Sequence, residues 1–300
     1  MNVLSKDNAE MVWTDDQLKK KIKRLRSMIT IIAPGSLKPK KDRFGEEVFL
    51  ATDEGEVRVL TYNMDNPAAL PLLINIHGSG FTIGSADMDD PFMPNLADKA
   101  NVKIISVDYK LAPEYPFPKS LNECYAVIRY AKEHPEEFGI DPDRIAISGF
   151  SAGGNFAAAI GIMESGKNLL GLKCLSMNYP PLDVYTDSAL KPRPKMSIPV
   201  FMSRMFDACY LNDKEARKNP LISPVYATDE QLRGFPPTLI ITANGDSLCE
   251  EGAKFSEMLA NAGVDVTYKV FKGMHGFDRR SNAEADASWQ MVIGHLKKYL

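Results

Sequence analysis

Residues 149–153 read Gly149-Phe150-Ser151-Ala152-Gly153, which is a G-x-S-x-G motif. The apolar run Arg144–Ser148 precedes the motif and predicts a strand, and the small residues of Ala152–Glu164 predict a helix directly after it. A sharp turn from strand to helix holds a serine in a strained conformation and exposes its Oγ, while flanking glycines relieve the crowding. The alternative is a glycine-rich turn with an incidental serine, which the strand and helix disfavour. The motif therefore predicts that Ser151 is a nucleophile.

Strands and helices alternate on both sides of this motif. The predicted strands are Glu46–Thr52, Val57–Tyr62, Leu72–Ile76, Val102–Val107, Arg144–Ser148, Leu172–Met177, Thr238–Thr242 and Val264–Phe271. The predicted helices are Thr14–Ile32, Ser120–His134, Ala152–Glu164, Val200–Leu211, Cys249–Ala262 and Ala283–Leu300. Continuous apolar strands separated by helices are typical of a mostly parallel sheet that is covered on both faces. The predicted fold class is therefore α/β, with a mostly parallel central sheet.

A serine hydroxyl needs a base to become a nucleophile, and the chain has only four histidines. His275 follows the last predicted strand, so a parallel sheet would place it at the same carboxyl edge as Ser151. His134 and His295 lie at or within helices, where a structural role is the simpler interpretation. His77 belongs to a different motif. His275 is therefore the predicted base.

The base in turn needs a carboxylate that fixes its tautomer and stabilises its charged form. Asp246 follows the predicted strand Thr238–Thr242 and so falls at the same edge of the sheet. The chain order of serine, acid and histidine is that of α/β-hydrolases and not of chymotrypsin-like or subtilisin-like enzymes. A helix N-cap is the alternative role for Asp246. Glu250 and Glu251 fit the acid less well, since both fall within the next helix.

A third feature follows the strand Leu72–Ile76. His77-Gly78-Ser79-Gly80 resembles the glycine-rich loops that present backbone N–H groups to the oxyanion formed during acyl transfer. Ser79, Gly80 and Ala152 are the predicted N–H donors. His77 has no partner histidine or cysteine at a metal-ligand spacing, so we interpret it as shaping the loop.

Residues 187–227 interrupt the alternation of strands and helices with five prolines and a segment rich in Met and Phe. An insertion here would lie over the carboxyl edge of the sheet, where open α/β sheets bind ligands. The apolar stretch Pro199–Leu211 could line a substrate pocket or form a small core of its own, and the sequence favours neither. The helix Thr14–Ile32 has an apolar stripe and a basic face. A helix docked on the protein is favoured over one lying on a membrane, because the stripe lacks bulky aromatic residues.

Taken together, these segments resemble the hormone-sensitive-lipase-like family of α/β-hydrolases, over about three-quarters of the chain from Leu72 onward. The matching segments are His77–Phe81, Val107–Glu114, Gly149–Asn155, Asn219–Pro224, Asp246–Leu248 and His275–Phe277. The resemblance implies an α/β-hydrolase core of residues 46–186 and 228–300 with a helical cap of residues 1–45 and 187–227. It also implies carboxylesterase activity on small, short-acyl or aryl esters, without a metal or other cofactor.

Three positions depart from the family pattern. Ser79 stands in place of the middle glycine of the oxyanion loop, although its N–H can still serve. Phe150 precedes the nucleophile where Asp or Thr is usual, and Lys110 stands where Arg is usual. The three predicted catalytic residues are unaffected, so the departures bear on the substrate subclass.

Composition excludes several other classes of protein. The 300 residues are 44% hydrophobic and 25% charged with a net charge of −3, which gives no electrostatic signature of nucleic-acid binding. No secretory signal and no stable membrane insertion are expected. The four cysteines lack metal-ligand spacing and are expected to be reduced thiols in a cytoplasmic protein.

Two other functions fit the same residues. An amidase or arylformamidase would use the same triad with a different leaving group. A non-catalytic small-molecule-binding protein on the same fold is disfavoured, because serine, acid and histidine are all present. By analogy with the family, a homodimer would form through the edge near Val264–Phe271.

Overall fold

The computed structural model describes residues 13–32 and 42–300. Its strands are β1 (Glu46–Thr52), β2 (Gly55–Tyr62), β3 (Leu70–Ile76), β4 (Lys103–Asp108), β5 (Ile140–Phe150), β6 (Leu172–Asn178), β7 (Thr238–Ala243) and β8 (Val266–Phe271). Its α-helices are α1 (Asp15–Ile32), α2 (Met93–Ala100), α3 (Lys119–Glu133), α4 (Pro135–Phe138), α5 (Ala152–Glu164), α6 (Val200–Tyr210), α7 (Asp229–Leu232), α8 (Cys249–Asn261) and α9 (Ala283–Tyr299).

The strands form one sheet in the order β1-β2-β4-β3-β5-β6-β7-β8. β1 pairs with β2 and β2 with β4 in antiparallel fashion, and every later pairing is parallel. All residues of β3 are buried, as expected for a strand covered on both faces. One apolar core holds side chains of α3, α5 and α8, and a second holds side chains of α2 and α9. The predicted α/β class with a mostly parallel sheet is confirmed.

Most predicted boundaries fall within two residues of the structure, but the start of β5 differs by more, and helices α2, α4 and α7 were not predicted. β5 begins at Ile140, four residues before the predicted start, because its first residues pair with Leu70 and Pro71 across a register shift. β8 begins at Val266 rather than Val264. Helix α2 was not predicted, since its sequence carries a proline in its first turn and only a short apolar stripe.

Helices α1 and α6 pack on each other and form a third apolar cluster. Leu18 and Ile22 of α1 are buried in it, as the predicted stripe requires. Thr14 accepts a hydrogen bond from the Gln17 N–H, and the Gln17 side chain accepts one from the Thr14 N–H, which closes the first turn as a capping box. The docked-helix interpretation of this segment is therefore supported.

Arg26 ties α1 to the rest of the protein through its basic face. Its guanidinium donates to both carboxylate oxygens of Glu114 and to the backbone carbonyl oxygens of Thr82 and Ala112.

The division into a core and a cap stays a prediction, and residues 1–12 and 33–41 of the predicted cap lie outside the described residues. Within the described ranges, no helix combines the length and apolarity that a bilayer span requires.

Candidate active site

Ser151 lies at the turn between β5 and α5, in a left-handed backbone conformation with φ of 52° and ψ of −118°. This is the strained geometry expected from the motif, and the Ser151 N–H donates to the Asn178 carbonyl at 2.8 Å. A Cβ at Gly149 would lie 2.3 Å from the Gly153 carbonyl oxygen. A Cβ at Gly153 would lie 2.0 Å from the Ile76 carbonyl oxygen. The turn is therefore too tightly packed for a side chain at either position.

Gly153→Ala is expected to destabilise the protein by about 3 kcal/mol or more, because the new methyl group would overlap the backbone of β3. The matched control is Gly294→Ala in α9, where a Cβ meets no atom within 4 Å. That variant is expected to be stabilised by about 0.5–1 kcal/mol through better helix propensity. Urea unfolding of both variants measures the difference. Equal free energies of unfolding would contradict the packing argument.

The three predicted catalytic side chains form one chain of hydrogen bonds. His275 Nε2 lies 2.9 Å from Ser151 Oγ, and His275 Nδ1 lies 2.6 Å from Asp246 Oδ2. The Asp246 side chain is fully buried, and that of His275 is 18% exposed. The imidazole ring also packs edge-on against Tyr179, with ring centroids 4.7 Å apart. This arrangement can hold one imidazole nitrogen ready to accept a proton from the serine hydroxyl.

Asp246 and His275 approach each other because the loops after β7 and β8 are hydrogen-bonded together. The Gly245 N–H donates to the Gly273 carbonyl at 2.8 Å, and the Gly273 N–H donates to the Asn244 side chain at 3.2 Å. The N-cap alternative for Asp246 is wrong, since the residue that precedes α8 is Leu248.

The predicted oxyanion loop follows β3, and its serine is held by a tyrosine. The Tyr109 hydroxyl lies 2.6 Å from Ser79 Oγ and donates to the His77 carbonyl at 2.8 Å. Since the phenol has one proton, the Ser79 hydroxyl must donate to Tyr109. Tyr109 also stacks on the His77 ring at 4.2 Å, and both rings are buried. The hydroxyl of the serine that stands in place of the usual glycine is therefore held by a buried tyrosine.

The backbone N–H groups of Ser79, Gly80 and Ala152 were the predicted oxyanion donors. Ala152 is the first residue of α5, so its N–H has no partner within the helix. Gly80 adopts φ of 53°, and a Cβ there would lie 2.6 Å from the Phe206 ring. Helix α6 thus packs directly on the oxyanion loop and fixes its position beside Ser151.

Phe150, which departs from the family pattern, is buried beneath the nucleophile. Its ring centroid lies 5.5 Å from that of Trp289, and the Arg279 guanidinium lies 5.4 Å from the Phe150 ring centroid. Arg279 is paired with Asp89, so this layer combines a cation, an aromatic face and a buried carboxylate. Phe150 therefore supports the turn from below, a role that the sequence alone did not reveal.

Tyr179 and Asp278 are two further supporting residues that sequence reasoning missed. The Tyr179 hydroxyl donates to Asp278 at 2.6 Å, and the Asn178 amide donates to the same carboxyl at 2.7 Å. Burial raises the pKa of Asp278. In the sequence, the signal for this supporting role was the position of Asp278, three residues after His275. The pair orients the Tyr179 ring that packs against His275.

A cavity of about 380 Å³ opens onto Ser151 and His275. Much of its surface is apolar, contributed by Phe81, Ile83, Met88, Pro181, Ile198, Met202, Phe206 and Leu248. Both interpretations of Pro199–Leu211 hold, because Met202 and Phe206 line the cavity whereas Met205 and Cys209 pack toward α1. In residues 13–32 and 42–300, no three His, Cys, Asp or Glu side chains are grouped as metal ligands.

The fold and this serine–histidine–aspartate arrangement define the α/β-hydrolase class of proteins. A family model described as alpha/beta hydrolase fold matches residues 73–279. The chain belongs to this family, among its hormone-sensitive-lipase-like carboxylesterases.

Three similar proteins illustrate the relationship. An arylesterase of Saccharolobus solfataricus is 30% identical over 246 residues, which are 79% of this chain and 78% of the relative. The arylacetamide deacetylase of Oryctolagus cuniculus is 28% identical over 268 residues, covering 68% of this chain and 67% of the relative. The crystal structure of a thermostable esterase from Pseudomonas putida superposes with a TM-score of 0.83 at 27% identity. That superposition covers 94% of this chain and 92% of the other.

Proposed function

We propose that this carboxylic ester hydrolase cleaves small, short-acyl or aryl esters through a covalent acyl-enzyme formed on Ser151. The observation that carries the proposal is the continuous hydrogen-bonded chain from Ser151 through His275 to Asp246 at the mouth of an apolar cavity. The arylesterase and esterase names of the similar proteins support the same reaction.

In the first half of the reaction, Ser151 Oγ attacks the ester carbonyl carbon while His275 Nε2 accepts the hydroxyl proton. Asp246 stabilises the imidazolium through its bond to Nδ1. The N–H groups of Ser79, Gly80 and Ala152 bind the oxyanion of the tetrahedral intermediate. When the intermediate collapses, His275 gives its proton to the departing alkoxide, and the acyl group stays on Ser151.

In the second half, water takes the place of the alcohol. His275 Nε2 accepts a proton from the water, which attacks the acyl carbon and passes through a second oxyanion in the same site. Collapse of that intermediate returns the proton to Ser151 Oγ and releases the carboxylic acid. The cavity volume of about 380 Å³ and its apolar lining suit short acyl chains or an aryl ring.

An amidase is the second candidate function, since one of the similar proteins is named arylacetamide deacetylase, and an arylacetamide is an amide. The same residues would serve, but an amine leaves only when His275 protonates it efficiently. Aryl amides and aryl formamides therefore belong in the substrate panel beside the esters.

Hydrolysis of p-nitrophenyl acetate, butyrate and octanoate is expected to show highest kcat/KM for the acetate or the butyrate. The octanoate is expected to be at least about tenfold slower, because its longer chain and the nitrophenyl group must share one cavity of about 380 Å³. Release of nitrophenol measures each rate. Turnover of aryl formamides or acetamides without ester turnover would favour the amidase, and turnover of neither class would contradict the proposed function.

Two further parts of the proposal concern the cellular location and the oligomeric state. The four cysteines are free thiols, three of them buried, which supports a reducing cytoplasmic location. β8 is the last strand of the sheet, and Val270 on it is 39% exposed. An unpaired edge of this kind supports a homodimer formed through β8.

A further inference from the structure

One wall of the cavity is charged, although much of the rest is apolar. Lys191 lies in this wall with a side chain only 10% exposed. Its ammonium lies 2.7 Å from Glu251 Oε1 and also donates to the backbone carbonyl of Asp183. The second Glu251 oxygen accepts the N–H groups of Leu182 and Asp183 at 2.7 and 2.9 Å. Although burial opposes it, the Glu251 carboxylate raises the pKa of Lys191, so the lysine is held as a cation.

Asp207 of α6 also lines this wall and is half-buried. Within the described part of the chain, its carboxyl group makes no hydrogen bond and no ion pair. Lys191, Arg217, Glu251 and Asp183 are the charged groups whose fields reach it, and burial raises its pKa to about 7. Near neutral pH the group therefore exists both as a hydrogen-bond donor and as an acceptor.

We propose that Lys191 and Asp207 form a subsite for an uncharged hydroxyl group carried by the ester substrate, an inference that rests on the proposed function. Lys191 has three N–H donors. One donates to the Asp183 carbonyl and the ion pair with Glu251 occupies at most one more, so the third can serve a ligand. A hydroxyl group can accept from this ammonium and donate to Asp207 at the same time.

Charged substituents fit this wall less well. A carboxylate on the substrate would face Asp183 and Asp207, which line the cavity, and an ammonium would face Lys191. A plain alkyl chain would remove water from Asp207 and from the third N–H of Lys191 without replacing its hydrogen bonds. Leaving such groups unpaired is costly, and sites built to bind a hydroxyl therefore reject analogues that lack it.

Two matched pairs of substrates test the subsite on either side of the scissile bond. One pair is p-nitrophenyl 6-hydroxyhexanoate and hexanoate, and the other is 6-hydroxyhexyl acetate and hexyl acetate. For at least one pair, the ratio of kcat/KM for the hydroxylated ester to that for the plain ester is expected to fall about tenfold in Asp207→Leu. Asp207→Asn is expected to retain most of the ratio, since its amide can still donate and accept. Asp286→Leu, at an exposed position of α9, is the control and is expected to keep the wild-type ratio.

The measured ratio separates the outcomes. If Asp207→Leu keeps the wild-type kcat/KM ratio for both pairs, the subsite is contradicted and the esterase proposal stays in place. This includes the case in which kcat/KM falls equally for the hydroxylated and the plain esters. If Asp207→Leu does not fold, the ratio in Lys191→Met is expected to fall in the same way, and an unchanged ratio there contradicts the subsite. Failure of the wild type on all four esters would contradict the proposed function itself.

Discussion

Ser151→Ala is expected to lower kcat for p-nitrophenyl acetate by about 10³-fold or more while leaving the fold intact. The Ser151 hydroxyl is placed to attack the acyl carbon, because its Oγ lies 2.9 Å from His275 Nε2, which can accept its proton. Its loss removes no core packing, and the strained backbone at residue 151 is held by neighbouring glycines and by the bond to Asn178. Nitrophenol release and circular dichroism together measure activity and fold.

The matched control for this variant is Ser27→Ala, which removes an exposed hydroxyl of α1 that donates to the Lys23 carbonyl. It is expected to keep wild-type activity. An alkyl fluorophosphonate should add a single phosphonyl group to the wild type and to Ser27→Ala but none to Ser151→Ala, as read by intact mass. Turnover by Ser151→Ala near the wild-type rate would show that another residue is the nucleophile.

Asp246→Asn is expected to lower kcat by about 10³- to 10⁴-fold with little change in KM. The Asp246 carboxylate can accept a hydrogen bond from Nδ1, which leaves Nε2 free to take the serine proton. An asparagine amide would instead donate to Nδ1 and place the imidazole proton on Nε2, where it blocks that transfer. The amide also removes the negative charge that stabilises the imidazolium. Steady-state kinetics on p-nitrophenyl acetate measure the effect.

Glu250→Gln makes the same chemical change four residues away, on the exposed side of the first turn of α8. It is expected to leave kcat within about twofold of wild type, since a surface substitution of this kind changes little. A loss in Asp246→Asn no larger than the loss in Glu250→Gln would show that Asp246 does not orient the base.

The candidate catalytic residues were predictable because each follows from local sequence and from one general property of parallel sheets. Ser151, Asp246 and His275 each lie within four residues of the end of a strand, and the carboxyl ends of parallel strands meet at one edge. The glycines around Ser151 carry the same information, since the turn has room for no side chain there.

The supporting residues could not be predicted, because their partners are distant in sequence. Tyr109 reaches Ser79 over 30 positions, and Tyr179 reaches Asp278 over 99. Phe150 contacts Trp289 and Arg279, which lie 139 and 129 positions further along the chain. Such contacts depend on how helices dock on the sheet, and no local periodicity encodes that docking.

By itself, the sequence determined the fold class and singled out the candidate nucleophile, base, acid and oxyanion loop. Their signals are local turns and strand ends whose chemistry repeats wherever the same geometry is needed. Only the tertiary structure decided the shape and polarity of the cavity, because its walls come from segments far apart in the chain. Lys191 and Asp207 are unremarkable charges when read one by one. They meet at the cavity only because α6 carries Asp207 to its wall and Glu251 of α8 holds Lys191 there as an ion pair.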